Sequence, residues 1–320
     1  MGMGHLYRVQ KIVDKLREHS LVNITLFTQN FDQARGIYKE IAFDEVIEIE
    51  PSIDEKQEIL LLEQLFAKKQ YDICLNDQLN SSKEVATILT KNSKRSITLD
   101  DLGEGNSLFD WVINILYPSD KQMKNEINSY KYMILNNFLS IKNQIEFSAE
   151  VKTIFINQGA ADTWGAIPHM IKDLNKLDLD ITIKVLLGPS FEHFQELGEA
   201  LKVNKKQIEI FNFTNNVVEL VKDCDLAILG AGNTLFEVAS LGIPIIASTR
   251  EEKELITIQR LLDDHIVYAE NKLYVDGLET IVKSTINNTK DREEKFEKNR
   301  ALFNYNGLNK IIELLVGDIK

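Results

Sequence analysis

Short runs of β-branched and other apolar residues alternate with longer amphipathic stretches along this chain. Such alternation is typical of strands and helices that follow one another, and it predicts parallel sheets with helices on both faces. The pattern passes through the first half of the chain and restarts in the second half. We therefore expect an α/β fold with two Rossmann-like, doubly wound lobes, at residues 1–145 and 146–320, and an inter-lobe cleft.

The length of 320 residues supports two lobes, because it exceeds what a single hydrophobic core usually fills. In the first lobe, strands are predicted at residues 21–27, 43–49, 71–75, 95–99, 111–115 and 130–135. In the second lobe, they are predicted at 153–157, 181–187, 207–211, 226–229, 243–247 and 266–268, with a closing helix pair near the end. Ligands of such sheets bind beyond the carboxyl ends of the strands, so the loops after strands are the candidate sites.

The composition narrows the class of protein. Hydrophobic residues make up 44% of the chain and charged residues 27%, which predicts a soluble globular protein. The net charge of −12 disfavours nucleic acid and anionic membranes as partners. Two cysteines without metal-ligand spacing indicate neither a disulfide framework nor a metal site, and they fit a reducing cytoplasm. We find no apolar run long enough to span a membrane and no secretory signal in MGMGHLYRVQ.

The amino-terminal segment Gly2-Met3-Gly4-His5-Leu6-Tyr7-Arg8 runs directly into a helical pattern. Glycines let backbone N–H groups approach a ligand, and the start of a helix favours an anion. A neutral His5 at this position could take a proton from water, because an imidazole titrates near working pH. The alternative is that His5 is an ordinary polar residue. We expect His5 to be catalytic and Gly4 and Arg8 to contact the sugar or diphosphate.

A second glycine-rich segment, Gly230-Ala231-Gly232-Asn233-Thr234, follows the predicted strand at 226–229 and opens a helix. Such a turn can present N–H groups and the Thr234 hydroxyl to a diphosphate, while Glu237, one turn later, could reach a ribose diol. The spacing is neither GxGxxG nor a Walker A motif, and the alternative is a tight connection. We predict nucleotide binding by Gly230, Ala231, Gly232, Asn233, Thr234 and Glu237.

Two further strand ends of the second lobe carry small residues. Gly159 and Asp162 follow the strand at 153–157, and Gly188 follows the strand at 181–187. Because strand ends in one lobe can line the same crevice, we predict that Gly188 contacts the nucleotide and that Gly159 and Asp162 contact the diphosphate or sugar. Helix capping would equally explain Asp162.

Carboxylates end two strands of the first lobe, at Asp77 and at Asp100-Asp101, and Asn114 lies within the strand at 111–115. Such groups can orient water, bind a sugar hydroxyl or tune a histidine, although capping and turn formation are the alternative for any one of them. We predict catalytic roles for Asp77 and Asp101 and a sugar contact for Asn114.

Eight segments between residue 1 and about residue 250 resemble, in the same order, the UDP-sugar hydrolases of pseudaminic acid biosynthesis and the related spore-coat polysaccharide proteins. These proteins are relatives of the two-lobed GT-B glycosyltransferases, including the enzyme that makes lipid II. The segments are GMGHLYR, the strand ending in Asp77, TLDDLG, VIN, YKYMILNNF, GAAD, LLGPS and CDLAILGAGNTLFEVASLGIP.

The resemblance implies that His5 is the base for a water that attacks the anomeric carbon. It also implies that Gly230, Gly232, Asn233 and Thr234 form the uridine diphosphate turn and that Glu237 binds ribose. The implied reaction is inverting hydrolysis of a UDP-linked amino sugar in the cytoplasm, for nonulosonic acid or surface polysaccharide synthesis, with no metal or cofactor. By the same resemblance, the first lobe carries the catalytic base and the second lobe binds the nucleotide.

The sequence departs from the family pattern at three places. Leu79 replaces a tyrosine, and Lys253-Glu254 replaces an Asn-Gln pair that helps to hold the ligand. The strand that precedes GxGH in the family is absent, which would leave neighbouring strands with unpaired edges. We therefore expect either an earlier start or a strand from another segment. These departures leave two alternatives open, a GT-B-type glycosyltransferase and a sugar-nucleotide binding protein without activity. Nothing in the sequence indicates an oligomeric state.

Overall fold

The structure is a computed structural model, and it divides the chain into two compact units. Unit 1 comprises Met1–Ile134 together with Asn306–Lys320, and unit 2 comprises Leu135–Tyr305. The first unit therefore ends earlier than the predicted boundary after residue 145. The residues described are 3–19, 22–29, 41, 43–50, 52–67, 69–117, 123–135, 138–212, 214, 216–249, 252–269 and 277–317.

Unit 1 contains six strands and four helices among its described residues. The strands are β1 (Thr25–Gln29), β2 (Glu45–Ile49), β3 (Tyr71–Asn76), β4 (Ser93–Leu99), β5 (Trp111–Ile113) and β6 (Glu126–Ile127). The helices are α1 (Met3–His19), α2 (Glu55–Phe66), α3 (Lys83–Lys91) and, from the end of the chain, α12 (Gly307–Val316). Asp54 and Ser82 begin α2 and α3, because each side chain accepts a hydrogen bond from a first-turn N–H.

The strands of unit 1 form two parallel sheets. One has the order β1-β2, and the other has the order β3-β4-β5-β6. Among the described residues no strand precedes α1, and β1 and β3 each have one edge without a partner strand. The Lys69 ammonium, just before β3, donates to the Thr25 hydroxyl of β1 at 3.3 Å and lies 3.6 Å from the Glu45 carboxylate of β2. The starts of the two sheets are therefore joined by side chains.

The structure does not form the strand that the sequence predicts at residues 130–135. Tyr130–Tyr132 forms a 3₁₀ turn, in which the Ser129 side chain accepts a hydrogen bond from the N–H of Lys131. The last strand of this sheet is β6, which pairs with β5 and was not predicted. Its two residues are too few to show an alternating pattern in the sequence.

Unit 2 contains one five-stranded parallel sheet. Its strands are β7 (Thr153–Asn157), β8 (Thr182–Leu186), β9 (Gln207–Phe211), β10 (Leu226–Leu229) and β11 (Ile245–Ala247). Its helices are α4 (Phe138–Ile141), α5 (Ala166–Asn175), α6 (Phe194–Val203), α7 (Val217–Val221), α8 (Asn233–Leu241), α9 (Leu255–Asp263), α10 (Leu278–Asn287) and α11 (Thr289–Leu302). The strand predicted at 266–268 provides only a bridge between Tyr268 and Ile246.

The sheet order of unit 2 is β11-β10-β7-β8-β9. The chain moves outward from β7 through β8 to β9 and then returns to the other side of β7, so strand order reverses between β7 and β10. The strands β7, β10 and β11 are buried on both faces, as in other parallel sheets covered by helices, whereas the edge strand β9 is partly exposed. This is the doubly wound arrangement, and its switch point is where ligands of such sheets bind.

The helix α12 belongs to unit 1, although the sequence assigned it to the second lobe. The Arg95 guanidinium of β4 donates to the carbonyl oxygens of Leu314 and Leu315 at 3.0 and 3.2 Å. Gly307 lies so close to residues 132–133 that an added Cβ would lie 2.2 Å from the Met133 carbonyl oxygen. Both ends of the chain therefore build unit 1, and unit 2 is an insertion between them.

Two further observations concern the helices and the two cysteines of the described residues. None of their helices is long and apolar enough to span a membrane. Cys74 and Cys224 are free thiols, and burial raises the pKa of each to about 12. Neither cysteine is therefore a ready nucleophile near neutral pH.

Candidate functional site

His5 and Arg8 project from the first turns of α1 toward the carboxyl end of β3. Their spacing of three residues puts them on the same face of the helix. The His5 Nδ1 atom lies 2.7 Å from Asp77 Oδ1, and Arg8 Nε donates to Asp77 Oδ2 at 3.1 Å. Arg8 also forms a short contact with Asp77 Oδ1. The structure thus joins three of the residues that the sequence predicted for this site.

Asp100 completes this group, which we call the His5 cluster: His5, Arg8, Asp77 and Asp100. The Arg8 guanidinium makes a short ion pair with Asp100 Oδ2, while Asp100 Oδ1 accepts from the N–H groups of Ile115 and Leu116 at 2.8 and 2.9 Å. Asp100 has a φ of 47°, in the left-handed region that a non-glycine residue seldom adopts. Arg8 therefore bridges carboxylates from the ends of two neighbouring strands.

The charges of the His5 cluster are strongly coupled. Burial acts to raise the pKa of Asp77, but the Arg8 charge and the hydrogen bond from His5 outweigh it and hold that pKa below its usual range. Burial likewise acts to lower the pKa of Arg8, and the attraction of Asp77 and Asp100 raises it instead. The Asp77 carboxylate and the Arg8 guanidinium are therefore fixed charges near neutral pH.

The geometry around His5 is that of an oriented base. An ionised carboxylate only accepts hydrogen bonds, so Nδ1 of His5 donates to Asp77, and Nε2 of the neutral ring carries the free electron pair. The His5 side chain is 26% exposed, whereas that of Asp77 is 8% exposed, so the base is the accessible member of the pair. A carboxylate in this position fixes the ring orientation and stabilises the imidazolium that forms on proton uptake.

Asp101 and Asn114 lie next to the His5 cluster but make different contacts. The Asp101 carboxylate is fully buried and accepts from the N–H groups of Ser81 and Gly103, at 2.9 and 2.8 Å, and from the Thr98 hydroxyl at 2.9 Å. Asn114 Oδ1 accepts from the N–H of Asp101 at 3.1 Å. These bonds hold the loop after β4, and Asp100, not Asp101, is the residue that contacts Arg8.

In unit 2, the glycine turn at residues 230–232 lies between β10 and α8, beside the switch point. Gly232 is the N-terminal cap residue of α8 and supplies no side-chain hydrogen bond to the first turn. An added Cβ on Gly232 would meet no atom within 4 Å. Gly232, Asn233 and Thr234 are half-buried. The helix start is therefore open to an acceptor group from outside, which is the arrangement that binds phosphates.

The turn after β7 and the turn after β8 lie against each other. An added Cβ on Gly188 would lie 2.2 Å from the Ala160 carbonyl oxygen and 2.3 Å from that of Gly159. Gly159 itself has a φ of 74° and open space around its Cα hydrogen. The Gly230 N–H donates to the Asn157 carbonyl oxygen at the end of β7, at 3.3 Å. The predicted glycines of all three turns thus lie at one edge of the sheet.

Asp162 and Glu237 are both buried, and Asp162 makes the capping contacts that the sequence offered as its alternative role. The two oxygens of Asp162 accept from the N–H groups of Ala166 and Ile167, at 2.7 and 2.9 Å, so this side chain caps α5. Glu237 lies on α8 and is 6% exposed. A ribose contact by Glu237 stays a prediction.

Glu254 is a member of this site that sequence reasoning did not place. Its Oε2 atom accepts from the N–H of Ala231, in the middle of the glycine turn, at 3.0 Å. In the sequence, Glu254 stands out only as a departure from the family pattern. The contact spans 23 residues, and no local spacing rule predicts it. Within the described ranges, no group of three or more His, Cys, Asp or Glu side chains could hold a metal ion.

The profile of the glycosyltransferase family 28 C-terminal domain matches residues 153–315, which include the whole sheet of unit 2. Two curated proteins are similar to the chain. An uncharacterised protein of Methanocaldococcus jannaschii is 28% identical over 79% of this chain and 54% of its own length. The spore coat polysaccharide biosynthesis protein SpsG of Bacillus subtilis is 23% identical over 82% of this chain and 78% of its own length. The chain thus spans about half the length of the first relative.

Solved structures share the fold at low sequence identity. MurG of Acinetobacter baumannii has a TM-score of 0.72 and 12% identity, covering 98% of this chain and 96% of MurG. The UDP-GlcNAc 2-epimerase of Neisseria meningitidis, solved bound to UDP-GlcNAc, has a TM-score of 0.61 and 14% identity, covering 98% and 97% of the two chains. The predicted α/β fold with parallel sheets and two Rossmann-like units, similar to GT-B enzymes, is confirmed.

Proposed function

Because this chain belongs to the glycosyltransferase family 28 C-terminal domain family, we propose that it is an enzyme that binds a nucleoside diphosphate sugar on unit 2 and transfers the sugar to an acceptor hydroxyl. The observation that carries the proposal is the glycine turn before α8, at the switch point of the matched segment, where Gly232 supplies no side-chain cap to the helix start. A UDP-linked sugar is the substrate class we propose, since a structural neighbour was solved with UDP-GlcNAc bound. Surface polysaccharide synthesis, as named for the SpsG relative, is the proposed context.

In the proposed reaction, His5 acts as the general base. Its Nε2 atom takes the proton of the attacking hydroxyl while that oxygen bonds to the anomeric carbon. The bond from this carbon to the diphosphate oxygen breaks, and the diphosphate leaves with the electron pair. Asp77 keeps the imidazole oriented and stabilises its protonated form, and N–H groups of the glycine turn stabilise the leaving diphosphate.

Hydrolysis is the second candidate, because the accessible Nε2 of His5 can deprotonate water as readily as an acceptor hydroxyl. The motif GMGHLYR, which resembles that of the UDP-sugar hydrolases, favours it. Leu79, at the position of the family tyrosine, favours transfer. The two reactions break the same bond and differ only in the attacking group.

Nucleotide binding and catalysis can be measured separately. We expect UDP, tested beside CMP, CDP and GDP, to give the largest thermal stabilisation, since a ligand at 100 times its Kd stabilises by about 2.7 kcal/mol. UDP release from UDP-GlcNAc and other UDP-sugars is then measured with and without candidate acceptor sugars. Release that requires an acceptor indicates transfer, and an equal rate in water alone indicates hydrolysis. Binding without release indicates a binding protein, and absence of any nucleotide binding contradicts the proposal.

His5→Gln tests the base. We expect UDP release to fall by about 100- to 10,000-fold with UDP binding retained, because a general base contributes a factor of that order. His169→Gln, on α5 in unit 2, is the matched control and should keep its activity. Unchanged turnover in His5→Gln would exclude the base role.

A further inference from the structure

A side chain already occupies part of the glycine turn. The Glu254 carboxylate accepts from the Ala231 N–H at 3.0 Å, and its Oε2 atom would lie 3.5 Å from a Cβ added to Gly230. Glu254 ends a 3₁₀ turn, Glu252–Glu254, and directly precedes α9. The carboxylate therefore comes from a separate element that packs over the turn.

The Glu254 carboxylate oxygen lies on the N–H of Ala231, which is where the proposed function would place a phosphate oxygen of the ligand. The N–H groups of a strand–turn–helix junction are the donors that bind phosphates, and an acceptor on Ala231 N–H uses one of them. The first turn of α8 contains no acidic residue of its own. Within the described residues, the Glu254 carboxylate is the anionic group that bonds to the glycine turn. A diphosphate at the turn would meet this negative charge at close range.

We propose that Glu254 is a specificity-determining residue that discriminates between a nucleoside diphosphate sugar and the free nucleoside diphosphate. The inference rests on the proposed function. A terminal phosphate has a second ionisation near pH 6, as phosphorylated side chains do, so free UDP carries about one more negative charge at pH 7 than UDP-GlcNAc. Glu254 repels the free nucleotide more strongly than the sugar nucleotide, which weakens product inhibition.

The variant Glu254→Gln isolates the charge. The glutamine amide oxygen can still accept from the Ala231 N–H, so the turn keeps its hydrogen bond and the fold is preserved. We expect this variant to bind UDP about 10-fold tighter than the unchanged protein and UDP-GlcNAc by a smaller factor, because one nearby repulsion is removed. The ratio of the two dissociation constants therefore shifts toward UDP. The gain should shrink with added salt.

Glu252→Gln is the matched control, since it makes the same charge change on an exposed side chain of the same 3₁₀ turn. We expect it to change either affinity by less than about 2-fold, as an exposed charge is well screened. Calorimetry with UDP, UDP-GlcNAc and inorganic pyrophosphate gives the affinities. Equal or weaker UDP binding by Glu254→Gln, or an equal gain for both nucleotides, overturns the proposed discrimination.

Binding measurements with pyrophosphate distinguish a failure of this inference from a failure of the proposed function. Suppose that pyrophosphate binds more tightly to Glu254→Gln while none of the proteins binds a nucleotide. The repulsion between Glu254 and an anion at the turn is then confirmed, but the proposed function and the discrimination between nucleotides are both overturned. If UDP binds equally to all three proteins, nucleotide binding stands and the role of Glu254 is overturned. If nothing binds to any variant, both are overturned.

Discussion

At the scale of single residues, the His5 cluster depends on Arg8, whose guanidinium contacts the carboxylates of both Asp77 and Asp100. The types and spacing of His5, Arg8 and Asp77 marked a polar group at strand and helix ends, and the structure brings these three together. The choice between Asp100 and Asp101 was not accessible from sequence, because both follow the same strand. It depends on the left-handed backbone at Asp100, which a non-glycine residue seldom adopts.

The buried pair of Asp77 and Arg8 predicts a pH dependence of stability. The folded-state pKa of Asp77 is depressed, so its contribution is present above the unfolded value of about 3.9 and is lost as the pH falls through the folded value. We expect Asp77→Asn to lower the free energy of unfolding at pH 7 by about 3–5 kcal/mol, because it removes one partner of a buried ion pair. The loss should diminish below pH 4.

Urea unfolding between pH 3 and pH 7 measures this dependence. Asp72→Asn is the control, because Asp72 lies at the start of β3 and its pair with Lys94 is exposed. This change should cost less than about 1 kcal/mol at every pH. Parallel pH profiles for the two variants would argue against the buried pair.

At the scale of elements, the sheet of unit 2 was the most predictable part of the chain. The structure reproduces the predicted bounds of β7, β9 and β10. The apolar runs of β7 and β10 mark buried strands, and β9 shows the alternation of apolar and polar residues of a half-buried strand. Unit 1 was less predictable, because β1 is half-buried throughout and β5 and β6 are very short. The contact between Glu254 and the glycine turn was not predictable, since it joins residues 23 positions apart in the sequence.

Two glycines at strand ends of unit 2 should respond differently to alanine. Gly188→Ala would force a methyl group into the Gly159 and Ala160 carbonyl oxygens, which belong to the backbone and cannot move aside. We expect a loss of about 1–3 kcal/mol. Gly232→Ala meets no atom within 4 Å at a φ of −90°, so we expect a loss below about 1 kcal/mol but weaker UDP binding. Thermal unfolding with and without UDP tests both, and stability equal to the unchanged protein in Gly188→Ala would refute the first expectation.

At the scale of the whole molecule, the return of the chain to unit 1 could not be inferred from sequence. The amphipathic pattern of α12 shows that one face is buried but does not say which unit covers it. Its assignment depends on long-range contacts, such as those of Arg95 with the carbonyl groups of Leu314 and Leu315.

Each unit contains one of the two tryptophans, Trp111 in unit 1 and Trp164 in unit 2, so single-tryptophan variants report on the units separately. Gly307→Ala should displace α12, because its methyl group would overlap the Met133 carbonyl oxygen. We expect the Trp111 transition to shift by about 1–3 kcal/mol and the Trp164 transition to change less.

Gly198→Ala is the control in unit 2, because it should shift the Trp164 transition and leave the Trp111 transition unchanged. Gly198 lies within α6 with open space around it, so the substitution should stabilise by about 0.5–1 kcal/mol. Equal shifts of both tryptophan signals in Gly307→Ala would mean that α12 does not act on unit 1 alone.

The return of α12 also sets how far apart in sequence the folding contacts of each unit lie. Residues 135–305 form a contiguous unit, so every contact within unit 2 joins residues of one uninterrupted segment. Unit 1 is completed only when residues 306–320 reach residues 1–134 across the whole length of unit 2. Because closing a longer loop costs more conformational entropy, the docking of α12 is the step of folding that closes the longest loop.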